Sequence, residues 1–108
     1  MSNLVHLPRQ AVYSPSLQVQ LEELTRHICY ELGTRALPFM HREMHRFCFE
    51  DGVELAMMYR ALDSTLKAPR PTWAYFRAII IRCINEGVTT ESQFAQRTLH
   101  HSRYKEIE

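Results

Sequence analysis

The sequence predicts an all-α protein, a compact single-domain bundle of four to five helices. Apolar residues recur at steps of three and four through most of the chain, the period of an amphipathic helix. Gly33, Pro38, Gly52, Pro69, Pro71 and Gly87 interrupt that pattern at the places where helices would start and stop. Size agrees: 108 residues with 45% apolar content can build one core and not two.

The elements follow in order. Residues 1–15 contain Pro8 and Pro15 and show no clear period, so they read as an N-terminal arm ahead of a helical domain over 16–99 and a polar C-terminal tail over 100–108. From Ser16, the positions Leu17, Leu21, Leu24, Ile28 and Leu32 mark a first amphipathic helix stopped at Gly33. Pro38 opens a second at its first turn, where a missing N–H has no helical partner to lose, with Met40, Met44, Phe47 and Cys48 on one stripe. After Gly52, with Asp51 as a candidate cap, a third helix is expected to turn Leu55, Met58, Tyr59, Leu62 and Leu66 inward.

The stretch WAYFRAIIIRCINEG, residues 73–87, decides between strand and helix. Its apolar pattern outlasts the roughly 4 to 8 residues usual for a strand. Pro71 and Thr72 are start signals and Gly87 a stop signal. Trp73, Phe76, Ile80, Cys83 and Ile84 form one face and Tyr75 with Ile79 a second beside it, which predicts the central helix of the bundle, with Ile80 in the core. Thr90 and Gln93 then form a capping box for a last helix holding Phe94 and Leu99.

Charge and cysteine usage narrow the function classes. Thirteen Lys and Arg against twelve Asp and Glu leave a formal net charge of +1, without the basic excess of most dedicated duplex-DNA binders, so a nucleic-acid role must come from local clustering. Cys29, Cys48 and Cys83 are odd in number and lack Cys-x-x-Cys spacing, which favours reduced thiols in a cytoplasmic protein. No stretch approaches the roughly 18 apolar residues of a membrane span, so a membrane partner is not expected.

No catalytic constellation is complete, and neither an enzyme nor a cofactor is expected. HREMH places His41 and His45 on one helical face with Cys48 a turn further on, a spacing a transition metal could use. Arg42 stands where a zinc-protease motif needs Glu, and the expected reading is a surface His pair and a core thiol rather than a metal site. No glycine-flanked nucleophile or phosphate loop is present.

Two segments carry a resemblance. Tyr75-x-x-x-Ile79-Ile80-x-x-Cys83 followed by Gly87-Val88-x-Thr90 resembles the signature of the DnaD domain family, Tyr-x-x-x-Ile-Leu-x-x-Trp and then Gly-Ile-x-Thr. Upstream, Glu31, Gly33, Arg35 and Leu37-Pro38 are similar to the segment that opens that domain, and FEDGVELAMMYRALDSTL resembles the helix between, so the likeness spans about residues 31–94. The resemblance implies a compact helical domain of a bacterial or phage replication-initiation protein, in which the motif and the segment after it serve DNA binding and assembly. Three departures stand beside it. Cys83 occupies the usual Trp position, 108 residues leave no room for the family's winged-helix domain, and the basic tail shrinks to Arg97, His100, His101, Arg103 and Lys105, offset by Glu106 and Glu108.

The expected binding residues are Arg70, Tyr75, Arg77, Arg82, Arg97, Arg103 and Lys105, with Arg77 and Arg82 on the polar edge of the central helix. Arg42 and Arg46, one turn apart, are further cations, though Glu43 and Glu50 intervene. Two functions remain open. One is a DnaD-like replication module that binds DNA weakly, without sequence preference, and helps assemble an initiation or helicase-loading complex, with self-association possible. The other is a stand-alone phage or mobile-element protein that uses the same scaffold to bind and inhibit a host protein such as a nuclease.

Overall fold

The structure is a computed structural model, and it describes residues 16–97. Among them are five α-helical segments, one π-helical turn and no strand, an all-α bundle. Helix α1 spans Leu17–Glu31, α2 Pro38–His45, α3 Leu55–Leu66 and α4 Trp73–Asn85, and residues 91–97 form α5. Arg46–Glu50 continues α2 without a break as the π-helical turn.

Local chemistry explains the boundaries. The Ser16 hydroxyl accepts from the Val19 N–H at the start of α1, and Thr72 does the same for the Tyr75 N–H of α4, each satisfying a donor that the first turn would leave unpaired. The capping box at α5 forms as the sequence predicts: Gln93 N–H donates to Thr90 Oγ1, and Gln93 Oε1 accepts from the N–H groups of Thr89 and Thr90. Helices α1 and α4 end alike. Gly33 and Gly87 adopt φ of 71° and 77°, and the following N–H groups, of Thr34 and Val88, donate back to the carbonyls of Cys29 and Cys83.

Asp51 caps nothing. The residue before α3 is Glu54, whose side chain leaves that helix uncapped and instead accepts from the Glu91 N–H, while its own N–H donates to the Thr89 carbonyl. This pair of bonds ties the start of α5 to the start of α3.

One core runs through the bundle, with Ile28, Met44, Met57, Met58, Ala61, Phe76, Ile80 and Cys83 fully enclosed. Four methionines, Met40, Met44, Met57 and Met58, line it, and their flexible thioethers fill irregular gaps between helices of different tilt. Buried Thr25 and Thr65 each donate to the carbonyl four residues earlier, at Leu21 and Ala61. No described buried side-chain polar atom lacks a partner.

Two expectations about this core are corrected. The middle places belong to α1, which packs on α2 and α3, and to α3, which packs on α1 and α4, whereas the most apolar helix, α4, has α3 as its main helical neighbour. On α3 the inner stripe is Met57, Met58, Ala61, Leu62 and Thr65, while Tyr59 and Leu66 are 49% and 37% exposed. Small residues win at Ala61 and Thr65 because a central helix must approach two neighbours closely, and Thr can hide its hydroxyl on its own helix.

Candidate interaction surface

The expected binding residues do not form one patch. On α4, Tyr75 and Arg82 lie two turns apart on the solvent face and both are exposed, Tyr75 at 46%. Arg77 lies about 140° around the helix from Arg82. It faces α2, where its Nε donates to Glu43 Oε2 at 2.5 Å. Arg77 and Arg82 are both exposed, as expected, but they stand on different sides of α4. Arg70 is exposed in the turn between α3 and α4. Arg97 on α5 donates to Glu86 Oε1 at 2.6 Å, and that bond holds its guanidinium still more firmly protonated. Arg103 and Lys105 lie outside the described residues, as does Leu99.

Glu43 is the hub of the α2–α4 contact. It is largely buried, with a side chain 14% exposed, and it accepts from Trp73 Nε1 at 3.3 Å as well as from Arg77. Arg46 stands 3.8 Å from the same carboxylate, a contact too long for a good hydrogen bond. A buried carboxylate needs such partners, so Arg77 serves the fold and its charge is already answered.

The motif position Cys83 is fully buried, next to the Glu86–Arg97 pair. Burial pushes its thiol pKa up, with Glu86 adding and Arg97 and Arg82 opposing. Position 83 thus belongs to the core and offers nothing to a partner.

A different face gathers aromatic and cationic groups. Along α2, Phe39, Arg42 and Arg46 step by three and four, which sets them on one side, and Phe49 follows within the π turn. Phe39 and Phe49 are 43% and 45% exposed, and both arginines are exposed. The His45 ring lies against Phe49 with centroids 4.5 Å apart. Phe39, Arg42 and Arg46 border an open cleft of about 610 Å³ that Glu43, His45 and Glu50 also line. Behind Arg42 and His45, a smaller cleft of about 220 Å³ opens toward α1, reaching Leu21, Thr25 and His41.

Arg42 has no ion-pair partner among the described residues, and Arg46 has a long contact with Glu43 and lies over the Phe47 ring, 5.5 Å from its centroid. Both arginines are exposed, with the half-exposed Phe39 and Phe49 nearby. The signal was present in the sequence as Phe39-x-x-Arg42-x-x-x-Arg46-x-x-Phe49, the complement of the buried stripe Met40, Met44 and Phe47. Cys48, expected on that buried stripe, is only partly covered.

His41 and His45 both line the smaller cleft, and His45 borders the larger one as well. Among the described residues no group of three or more His, Cys, Asp or Glu side chains converges as a metal site would. No described helix is long and apolar enough to cross a membrane. No protein-family model, curated protein or solved structure matches the chain.

Proposed function

We propose that this chain is a small helical module that binds nucleic acid weakly and without base preference, as part of a replication-initiation or helicase-loading assembly. The observation that carries this reading is the group of Phe39, Arg42 and Arg46 along α2, where Arg42 has no ion-pair partner among the described residues and the rings of Phe39 and Phe49 are exposed nearby. Cations on such a surface gain by releasing counterions from phosphates, and rings gain from base faces. The likeness of Tyr75 to Thr90 to the DnaD signature supports the replication setting. Nothing in the group offers a bidentate pattern for one base pair over another, which favours backbone recognition.

A salt titration of fluorescent oligonucleotides tests the reading. Two to three phosphate contacts give a log-log slope of about −2 and similar affinity for different sequences of equal length. Absence of binding even near 50 mM salt, where such contacts are strongest, would remove the proposal.

A second reading is favoured by the near-neutral net charge of +1 and by the half-exposed Phe39 and Phe49. Exposed aromatics beside arginines are also common anchors of protein interfaces. In that case the same face binds a host protein, DNA affinity is negligible at physiological salt, and Phe39→Ala abolishes partner binding.

A further inference from the structure

We propose that the smaller cleft, between α1 and α2, binds a free amino acid with an apolar side chain of about leucine's size. Two helical faces build it. Gln18, Leu21, Glu22 and Thr25 recur along α1 at steps of three, one and three, so they share one side of that helix, and His41, Arg42 and His45 face them from α2. Leu21 and Thr25, 3% and 0% exposed, form the floor. Thr25 Oγ1 donates to the Leu21 carbonyl, so its hydroxyl is satisfied on its own helix and the floor is apolar. A ligand that fills the cleft must bring an apolar part.

The walls carry opposite signs. On the α1 side the Glu22 carboxylate and the Gln18 amide can accept hydrogen bonds, and on the α2 side the Arg42 guanidinium and the imidazoles of His41 and His45 can donate them. Neither Glu22 nor Arg42 has an ion-pair partner among the described residues, so the two charges line one cleft without closing it on each other. That combination selects the ligand. A simple anion gains at Arg42 and is repelled at Glu22, a simple cation meets the reverse, and a zwitterion answers both. Its carboxylate suits the planar donor fork of Arg42, and its ammonium suits Glu22. Volume sets the size. At about 220 Å³ the half-open cleft lies below the roughly 300 Å³ at which pockets for drug-sized ligands begin, and it offers the space of roughly seven waters. An amino acid with a short branched side chain is of that scale. Only a free amino acid carries both charges on one carbon, because a residue inside a peptide has lost them to amide bonds.

The test follows backbone amide shifts of the whole isotope-labelled chain on titration with leucine, isocaproate, isopentylamine and N-acetylleucinamide, which share the apolar body and differ in charge. Leucine is expected to shift amides around Leu21 and Arg42 by about 10 mM, and to bind about tenfold or more tighter than each of the other three, since each lacks a charge-assisted contact. Arg42→Gln and Glu22→Gln remove no described ion pair from the fold, and each should weaken leucine about tenfold. Glu22→Gln should also strengthen isocaproate, because the repelling carboxylate is gone. Isocaproate or isopentylamine bound by the wild type as tightly as leucine would overturn the zwitterion. N-acetylleucinamide bound as tightly would overturn it in favour of a side chain of a peptide partner, and no shift by any of the four near 10 mM would remove the site. No oligonucleotide takes part, so these outcomes stand apart from the nucleic-acid reading.

Discussion

At the scale of single residues, Glu43 carries more than its sequence position suggests. It holds Trp73 Nε1 and Arg77 Nε at once from a largely buried place. Glu43→Ala leaves the indole N–H of Trp73 without its acceptor and frees Arg77, and should cost about 1 to 2 kcal/mol, lowering Tm by roughly 5 to 12 °C. Arg77→Ala should cost less, about 0.5 kcal/mol, because Arg77 is 44% exposed and water screens its half of the pair. Thermal melts of the two variants check this order, and an Arg77→Ala variant at least as destabilised as Glu43→Ala would contradict it.

The buried thiols make a second residue-scale prediction. Burial pushes the pKa values of Cys29 and Cys83 up, so the folded state keeps their protons at pH values where an unfolded chain releases them. The stability this provides is fully present below the unfolded value of about 8.5 and is lost as pH rises through it toward the raised folded values. Cys48 shifts the same way from a less covered place. Between pH 7.5 and 10 the wild type should therefore lose more Tm than a Cys29→Ala, Cys83→Ala variant, whatever their difference at pH 7.5. Parallel curves would show that the thiols do not drive the loss.

At the scale of elements, helix existence and helix ends were legible in the sequence because their causes are local. Ser16, Thr72 and the Thr90–Gln93 box act within three residues, and Gly33 and Gly87 act through their own backbone angles. A Cβ at Gly87 would meet no atom within 4 Å, so Gly87→Ala carries only the penalty of a left-handed conformation, about 1 to 2 kcal/mol. A melt showing Gly87→Ala as stable as wild type would mean that α4 does not need this stop. The phase of α3 was not legible. Choosing Tyr59 and Leu66 over Ala61 and Thr65 followed side-chain hydrophobicity, while the fold followed how closely α1 and α4 approach. That approach depends on residues far along the chain.

At the scale of the whole molecule, the same separation explains the displaced site. Arg77 and Glu43 are 34 positions apart and Arg97 and Glu86 are 11, and only the tertiary fold reveals that these cations are already answered. Among the described residues of the expected set, Arg70 and Arg82 have no ion-pair partner, and no pair of exposed rings comparable with Phe39 and Phe49 stands beside them. Arg42 and Arg46 were visible as a pair one turn apart, but their flanking rings read as part of an ordinary amphipathic helix until burial assigned each side chain to a face.

The central claim is that binding strength resides on the α2 face and not on α4. The most direct measurement is the salt slope of single-strand binding for two double variants, Arg42→Ala, Arg46→Ala and Arg70→Ala, Arg82→Ala. Each lost single-strand phosphate contact flattens the slope by about 0.7. The first variant should flatten it by about 1.4 and weaken binding, while the second should match wild type. A slope unchanged by the Arg42 and Arg46 replacements, with the loss appearing at Arg70 and Arg82 instead, would contradict the account.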